Sequence, residues 1–396
     1  MDHKVVIYLG NPIDDPTKAM RNINTDSPAA TNKAVGLARS MRRVGIRCIL
    51  LSLGRGRQTG GGDRYGVRVS RINGVLILYC AFWNFAVLTH LVSALSLALL
   101  TSHLIRRYGT LSVLVYNRAY HYIPALFLAR LKQIPIYLDL EDGYQTIGKG
   151  ALQGIKNKLT RMSFNWLCPD GAMAVNSSLR QQLAHTEPLV CYGVAEGRLM
   201  PNQNWQSPRL QILFGGTLLQ EVGSAVFLEA LEILQDRYPL LADELHFVVT
   251  GKGPYADFFR TWSKLSPNWL SFSEGLSRED YVQVLRESHV GLSLRLANFE
   301  MGATTFPSKV IEYAEHGLVV LSTRASDVPL LFGDDAIYLE AETATSLTKV
   351  LASLPKRRAE LINVAARGRA TVLNQCSPEV VGRKILRLIT KEHSNG

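Results

Sequence analysis

Short apolar runs alternate with segments of helical periodicity along the first half of the chain. KVVIYLG (4–10) and IRCILLSL (46–53) flank DSPAATNKAVGLARSMRRVG (26–45), where Ser27 is placed to cap a helix that begins at Pro28. This order predicts a βαβ unit. The alternation continues with strand GVLILYC (74–80), a long apolar helix, strand LSVLVYN (111–117), helix IPALFLARLK and strand IPIYLDL (134–140).

A second series of the same kind begins at residue 210. Ser277 and Asp280 form a capping box at one of its helix starts. The sequence therefore predicts two α/β domains in tandem, each with a parallel sheet and right-handed crossovers. The segments of this series are strand LQILFGG, helix SAVFLEALEILQDRY, strand LHFVVTG, helix YADFFRTWSKL, strand WLSFSE, helix SREDYVQVLRES, strand HVGLSLRL, helix FPSKVIEYAEHG and strand LVVLST.

The stretch CYGVAEGRLMPNQNWQSP (191–208) has the Pro, Gly, Asn and Gln content of a linker. We therefore place an N-terminal domain at 1–195 and a C-terminal domain at 196–375. A final helix within 376–396 is expected to pack back toward the N-terminal domain.

One apolar stretch is compatible with more than one structure. No charged residue occurs from Ile72 to Ile105, and the segment 85–105 is long enough to span a bilayer. A span here would split strands that belong to one sheet, so the pattern favours a buried or interfacial helix over a transmembrane one. In either case the helix can help to seat the domain on a membrane. Its polar residues share one stripe at helical spacing: Thr89, Ser93, Ser96 and His103.

The net charge of +11 is concentrated in the first half of the chain. Residues 1–195 carry 23 Lys and Arg against 10 Asp and Glu, a net charge of +13, and the remainder carries −2. A one-sided basic domain indicates an anionic partner such as a membrane surface, and a merely solvated basic face is the alternative. Nucleic acid is not expected, because the arginines of GRGRQTGGGDRYGVRVSR (54–71) match no recognised binding motif.

The cysteines and the first residues favour the cytoplasm. MDHKVVIYLG has no signal-peptide pattern. The cysteines show no metal-ligand or redox spacing, so we expect buried thiols in a reducing compartment. They are Cys48, Cys80, Cys168, Cys191 and Cys376.

Ligands of open α/β sheets bind at the loops that follow the strands, and two such loops in the second half are rich in glycine. In FGGTLLQEVG (214–223), Gly215 and Gly216 allow close approach of the backbone to a phosphate. In GKGP (251–254), Lys252 can neutralise a phosphate. Taken singly, each loop is equally compatible with a tight turn or a solvated lysine.

The stretch TTFPSKVIEYAEHGLVVLST (304–323) breaks a rule of charge placement. Lys309 lies in the first turn of a helix, where the helix dipole favours an acid. Glu312 shares its helix face, since the two are three residues apart. A diphosphate would suit the lysine, and vicinal ribose hydroxyls would suit the carboxylate, so the pair fits a nucleoside diphosphate. The alternative is a simple intrahelical ion pair.

Together these motifs resemble the retaining glycosyltransferases of GT-B architecture, specifically the large family 4 that makes bacterial surface polysaccharides. The resemblance covers nearly the whole chain and is strongest from Gly215 to Thr323. It implies two Rossmann-like domains that face an interdomain cleft, with the ribose held by Glu312 and the nucleobase received by the turn at Gly275 and Leu276. The donor-binding residues it implies are Gly215, Gly216, Thr217, Lys252, Gly275, Leu276, Arg295, Glu300, Ser308, Lys309 and Glu312.

The chain departs from the family pattern at three positions. The usual Arg and Lys of the phosphate loop are replaced by Thr217 and Val222, and the first helix glutamate is replaced by Thr304. Other groups must therefore face the donor. The candidate cations are Lys309, Lys252 and Arg295, with Glu300 as a stand-in near the donor sugar.

The resemblance places the acceptor in the N-terminal domain, beside Gly10 and the loops after later strands. Glu141 stands where many members have a histidine next to the reacting sugar, and Asp142 follows it. Paired acids there can orient an acceptor hydroxyl or stabilise an oxocarbenium-like sugar, and a solvated acidic loop is the alternative. The catalytic candidates are Glu141, Asp142 and Lys309. The further acceptor-side candidates are Asn117, Arg118 and His121.

The implied activity is transfer of a hexose from a UDP- or GDP-linked sugar to an acceptor hydroxyl with retention of configuration. The acceptor is expected to be a glycan or a lipid-linked sugar, and the nucleotide sugar is a substrate, with no cofactor and no metal. The enzyme is expected in the cytoplasm, with peripheral attachment to the inner face of the plasma membrane through an anionic surface as a further expectation. A nucleotide-sugar epimerase and a non-catalytic partner subunit are the alternatives.

Overall fold

The computed structural model describes residues 5–142 and 151–390, apart from 59–60, 169, 184–186, 198–202 and 300–303. The chain divides into two compact units. The N-terminal unit comprises Met1–Val194 and Cys376–Gly396, and the C-terminal unit comprises Ala195–Gln375.

An eight-stranded sheet forms the centre of the N-terminal unit, in the order β12-β11-β10-β9-β1-β3-β7-β6. All neighbouring pairs are parallel except β6 and β7. These two form a hairpin through Asn73 and Gly74, which both have positive φ. The parallel prediction is therefore wrong at this edge, although Asn-Gly is a hairpin signal. The strands are β1 Val5–Gly10, β2 Ile23–Thr25, β3 Arg47–Ser52, β4 Arg57–Gln58, β5 Arg64–Tyr65, β6 Arg68–Ile72, β7 Val75–Tyr79, β8 Phe82–Trp83, β9 Thr110–Tyr116, β10 Ile136–Leu140, β11 Gly171–Ala174 and β12 Leu189–Val190.

Helices cover both faces of this sheet. The connection from β1 to β3 runs one way along the sheet. The three successive connections from β7 to β9, from β9 to β10 and from β10 to β11 run the other way. Right-handed crossovers therefore put the first helix on one face and the other three on the opposite face. The first is Pro28–Arg43, capped by Ser27 as predicted, and the other three are Ala86–Arg107, Ile123–Leu131 and Ala151–Leu167. The short helix Asp15–Met20 precedes β2, and the C-terminal helix Pro378–Thr390 packs against Pro28–Arg43.

The core between the sheet and the Pro28–Arg43 helix is built from alternate strand residues and from the C-terminal helix. Because successive strand side chains point to opposite faces, every second residue enters this core. Its largest side chains include Tyr8, Tyr79 and Tyr137. All five cysteines of the chain are buried thiols, as predicted.

The C-terminal unit contains a six-stranded sheet in the order β15-β14-β13-β16-β17-β18, and every neighbouring pair is parallel as predicted. Its strands are β13 Leu210–Thr217, β14 Leu245–Lys252, β15 Leu270–Ser273, β16 Val290–Ser293, β17 Val319–Ser322 and β18 Ile337–Tyr338. Its helices are Ser224–Arg237, Ala256–Leu265, Arg278–Glu287, Lys309–Glu315, Val328–Phe332, Ala344–Ser353 and Arg358–Cys376.

The apolar helix Ala86–Arg107, predicted to be buried or interfacial, is buried on one side only and lies at the surface of the N-terminal unit. Its polar residues Ser93 and Thr101 are fully buried, whereas Leu91, Leu95 and Leu99 are 54%, 51% and 70% exposed. Within the described residues, Leu88–Arg107 is the one helical stretch with the length and composition needed to cross a membrane.

Candidate functional site

The strand order of the C-terminal unit changes direction between β13 and β16. The chain proceeds outward from β13 through β14 to β15, and from β16 through β17 to β18 in the opposite direction. At such a switch point the loops after the two strands diverge and leave a crevice at the carboxyl ends, where open α/β sheets bind ligands. Gly215 and Gly216 lie directly before the last residue of β13, Thr217, and Lys309 follows the loop after β16.

The ends of β13 and β14 approach each other so closely that only glycine fits. Gly216 pairs with Gly251, and their φ angles are +122° and +144°. A Cβ atom on Gly251 would lie 1.7 Å from the carbonyl oxygen of Gly216. The backbone geometry of this turn therefore depends on both glycines.

Replacing Gly251 with alanine is expected to destabilise the C-terminal unit by about 2–5 kcal/mol, from a strained φ and from overpacking. Urea unfolding of the full chain measures this change. Gly333→Ala is the matched control, because Gly333 also has a positive φ, +51°, but no atom lies within 4 Å of its added Cβ. Equal losses in the two variants would show that the approach to Gly216 does not require glycine.

Lys309, Tyr281 and Glu312 form a connected group over this turn. The Lys309 Nζ donates to Tyr281 Oη at 3.0 Å, and Tyr281 Oη donates to Glu312 Oε2 at 3.1 Å. The Lys309 Nζ lies 3.9 Å from the same carboxylate oxygen. A Cβ built on Gly216 would lie 2.5 Å from Lys309 Cε, so the lysine side chain covers the glycine turn. The structure thus brings together three sequence-predicted elements.

Tyr281 was missed by the sequence analysis. It lies in the first turn of the helix Arg278–Glu287, whose predicted cap is confirmed because Ser277 Oγ accepts from the Asp280 amide at 3.1 Å. Burial raises the pKa of the Tyr281 hydroxyl, and Glu312 raises it further. The hydroxyl therefore stays protonated near neutral pH and remains a donor to Glu312. The signal in the sequence was its position in the helix that follows the predicted nucleobase turn, five residues after Leu276.

Lys252 extends the same group toward the end of β15. A Cβ on Gly275 would lie 3.4 Å from Lys252 Cε and 3.7 Å from Lys252 Nζ. Gly275 has a φ of +71°, which suits the turn that the sequence analysis placed there with half-buried Leu276. Since Lys252 pairs with Thr217 at the end of β13, contacts link all three strand ends.

The remaining donor-side candidates have other surroundings. The Arg295 guanidinium donates to Thr305 Oγ1, and its carbonyl accepts from Thr323 Oγ1 at 2.5 Å. Arg295 therefore helps to hold the start of the loop after β16. Ser308 and Thr217 are exposed, and the Ser308 side chain does not cap the Lys309–Glu315 helix. Glu300 lies outside the described residues.

In the N-terminal unit, Asn117 organises the predicted acidic loop. It directly follows β9 and has a left-handed φ of +52°. Its Oδ1 accepts from the amides of Glu141 and Asp142 at 2.7 and 3.1 Å, and its Nδ2 donates to Asp142 Oδ2 at 2.8 Å. The structure therefore brings together three acceptor-side and catalytic candidates of the sequence analysis at adjacent strand ends.

Glu141 is also joined to a buried ionic network that the sequence analysis missed. Lys33 Nζ lies 2.9 Å from Asp139 Oδ1 and 3.6 Å from Glu141 Oε2, and Tyr8 Oη donates to Asp139 Oδ2 at 2.8 Å. Burial alone would lower the pKa of the Lys33 ammonium, but the two facing carboxylates outweigh it and the pKa is raised. Lys33 is therefore a fixed cation behind the Glu141 carboxylate.

A second polar group surrounds the predicted His121. Arg55 Nη2 lies 2.5 Å from His121 Nε2, and Arg55 Nη1 lies 2.8 Å from His90 Nδ1. The two imidazoles are themselves 2.7 Å apart, from His90 Nδ1 to His121 Nε2. By contrast, Arg118 donates to the Gln182 carbonyl at 2.8 Å, and Gly10 packs beside Tyr116.

Comparison with known proteins places this geometry in context. Residues 226–387 match a family model described as glycosyl transferase-like. A search of the curated proteins found no match to the sequence. Solved structures match almost the whole chain. A glycosyltransferase from Rickettsia africae shares 13% identity with a TM-score of 0.66 and full coverage of both chains.

Two further structures agree with this match. Anabaena HepE in complex with UDP shares 11% identity, covers 98% of this chain and 99% of its own, and has a TM-score of 0.66. Sucrose-phosphate synthase from Thermosynechococcus elongatus has the same identity, coverage and TM-score. The chain has the GT-B fold. In this GT-B chain the family match covers Lys252, Tyr281, Lys309 and Glu312 and begins just after the Gly215 and Gly216 turn. The predicted fold class is confirmed.

Among the described residues, no group of three or more His, Cys, Asp and Glu side chains is arranged to hold a metal ion.

Proposed function

We propose that this protein is a retaining glycosyltransferase that moves a hexose from a nucleotide-diphosphate sugar to an acceptor hydroxyl. The observation that carries the proposal is the Lys309, Tyr281 and Glu312 group over the Gly215 and Gly216 turn, at the switch point of a GT-B unit. These groups lie within a few ångströms of one another and complement a nucleoside diphosphate. The Lys309 ammonium and the glycine backbone suit the diphosphate, and the Glu312 carboxylate suits the ribose hydroxyls.

Each part of the donor has a complementary group. Lys309 and Lys252 face the diphosphate, together with the start of the Ser224–Arg237 helix, which no side chain caps. Lys309 and Tyr281 both contact Glu312 Oε2, so Oε1 is the oxygen that we assign to the ribose hydroxyls. The turn at Gly275 and Leu276 receives the nucleobase.

The transfer step moves negative charge onto the leaving diphosphate as its bond to the anomeric carbon breaks. A cation held in advance at that position stabilises the transition state more than the bound donor. Lys309 meets this need, because Tyr281 and Glu312 orient its ammonium before the donor binds.

For the acceptor, we propose the loops of the N-terminal unit that Asn117 holds together. Glu141 and Asp142 supply carboxylates that can orient a sugar hydroxyl, and the Lys33 ammonium lies 3.6 Å from Glu141 Oε2. A glycan or a lipid-linked sugar is the acceptor class. The nucleotide sugar is a substrate, and the proposal includes no cofactor.

A thermal-shift screen with UDP, GDP and ADP and their sugars tests the donor site. A ligand at about 100 times its Kd stabilises the chain by about 2.7 kcal/mol. Anabaena HepE was solved with UDP, which makes the uridine nucleotides the first to try. No shift with any nucleotide would favour the non-catalytic partner subunit, and release of a rearranged sugar without acceptor would favour the epimerase.

Replacing Glu312 with glutamine is expected to lower nucleotide affinity about 10- to 100-fold, because hydrogen bonds to a charged group are worth about 1.5–3 kcal/mol. Calorimetry measures the change. Glu232→Gln, at an exposed position of the Ser224–Arg237 helix, is the matched control and should bind like the wild type. Unchanged affinity in Glu312→Gln would refute the ribose assignment.

A further inference from the structure

We propose that three helices of the N-terminal unit form a docking face for the surface of an anionic lipid bilayer. The face comprises Ala86–Arg107, Ile123–Leu131 and Ala151–Leu167. Its central observation is the outer side of the first helix, where Leu91, Leu95 and Leu99 are more than half exposed although Ser93 and Thr101 of the same helix are fully buried.

The buried hydroxyls of this helix are satisfied by local hydrogen bonds. Ser93 Oγ donates to the Thr89 carbonyl at 2.7 Å, and Thr101 Oγ1 donates to the Leu97 carbonyl at 2.8 Å. Ser96 Oγ accepts from the Ala81 amide at 2.9 Å, which ties the helix to the segment after β7. A surface helix in water usually buries its apolar residues and exposes its polar ones. Exposure of Leu91, Leu95 and Leu99 is therefore unfavourable in water. Against lipid the same arrangement is favourable.

The outward apolar side chains continue across the two neighbouring helices. These helices lie on the same side of the sheet, and each packs against the next. The rings of Phe127 and Trp166 are 6.4 Å apart between centroids, so the second and third helices present one joined aromatic surface. The exposed residues are Leu91, Leu95, Leu99, Phe127, Leu131, Ile155, Leu159, Met162 and Trp166. A contiguous exposed apolar patch of this kind marks an interaction site.

The positive charge of these helices favours an anionic lipid surface over a second copy of the chain as the partner of this face. Apart from Arg130, which pairs with Asp170 at 3.3 Å, the three segments contain five basic residues and no Asp or Glu: Arg106, Arg107, Lys156, Lys158 and Arg161. A second copy of this chain would bring the same positive charge to the interface and be repelled. An anionic headgroup layer is attracted to the basic residues, and its acyl region accepts the leucines and the tryptophan.

The helices lie on the bilayer rather than across it. Leu97 and Leu104 of the first helix are buried against the unit, and the helix connects strands of one sheet. Crossing the membrane would separate these contacts and expose the strands. The docking face is independent of the proposed donor site, whose residues all belong to the C-terminal unit.

Vesicle flotation of the full chain tests the proposal, with phosphatidylcholine vesicles and with equimolar phosphatidylcholine and phosphatidylglycerol vesicles. The wild type is expected to float with the anionic vesicles, and added salt should weaken binding. The triple variant Leu91→Gln, Leu95→Gln, Leu99→Gln should have a vesicle partition coefficient at least about tenfold lower than that of the wild type. The reason is that its glutamines cannot gain the free energy that leucine side chains gain when they move from water into the acyl region.

The matched control is Leu240→Gln, Leu265→Gln, Leu330→Gln, since these leucines of the C-terminal unit are 72–81% exposed. It should float like the wild type. Brominated lipids should quench the fluorescence of Trp166, and Trp166→Phe should remove that quenching. Circular dichroism confirms that each variant is folded.

Three results would overturn the proposal: no flotation of the wild type, equal flotation of the two triple variants, or quenching that persists in Trp166→Phe. Light scattering measures the oligomeric state and so tests the alternative, in which a second copy of the chain covers the face. A wild-type dimer that the Leu91, Leu95 and Leu99 variant converts to monomer would assign the face to a second copy of the chain.

Discussion

Replacing Lys309 with methionine is expected to lower the turnover of the proposed transfer reaction about 100- to 1,000-fold, the usual effect of removing one preorganised charge from a transition state. The ammonium lies 3.0 Å from Tyr281 Oη and above the Gly216 backbone, where the leaving diphosphate would sit. Methionine keeps most of the side-chain volume and removes the charge. Release of nucleoside diphosphate from the donor identified by the thermal-shift screen measures the effect.

Two variants separate this role from a structural one. Lys309→Arg keeps the charge and should retain far more turnover than Lys309→Met. Lys264→Met removes an exposed lysine of the Ala256–Leu265 helix and should leave turnover unchanged. If Lys309→Met keeps turnover within a factor of a few of the wild type at saturating donor, the lysine only pairs with Glu312 and the mechanism is wrong.

Replacing Lys33 with methionine is expected to destabilise the N-terminal unit by about 3–5 kcal/mol, because it leaves a carboxylate buried without its cation. The Lys33 and Asp139 side chains are only 8% and 1% exposed, and their atoms Nζ and Oδ1 are 2.9 Å apart. The raised pKa of Lys33 means that its contribution is complete below its unfolded value of about 10.4 and is lost as pH rises above it. Urea unfolding at neutral pH therefore measures the full effect.

Lys18→Met is the matched control for this loss. Lys18 Nζ pairs with Asp26 Oδ1 at 2.6 Å, but its side chain is partly exposed, and such pairs contribute about 0–1 kcal/mol. The double variant Lys33→Met, Asp139→Asn removes both charges and should recover part of the lost stability. A loss in Lys33→Met no larger than that in Lys18→Met would mean that the buried pair does not hold these strands together.

The sequence predicted the strands and helices of both sheets most accurately where the signals are local. The Ser27 and Ser277 caps are both present, since a cap depends on a side chain and an amide three residues away. The Asn73 and Gly74 hairpin was equally local and was overlooked within a longer apolar run. The C-terminal helix was expected to pack toward the N-terminal domain, and it lies against Pro28–Arg43.

The candidate site was predicted in part. Lys309 and Glu312 belong to one helix turn, so their proximity follows from helix geometry. Tyr281 comes from a helix 28 residues before Lys309, and no pattern within its own helix indicates that its hydroxyl joins them. Arg295 was chosen as a phosphate ligand from its position after a strand, and the structure directs its guanidinium to Thr305.

By itself, the sequence determined the order of strands and helices, the glycines at the strand ends and the shared face of Lys309 and Glu312, because each depends on neighbours along the chain. The tertiary structure alone decided that Lys33 meets Asp139 across 106 residues and that Tyr281 bridges Lys309 and Glu312. It also decided that Leu91, Leu95 and Leu99 of Ala86–Arg107 face outward. Helical periodicity shows that a helix has two unlike faces, but packing against the sheet chooses which one is buried.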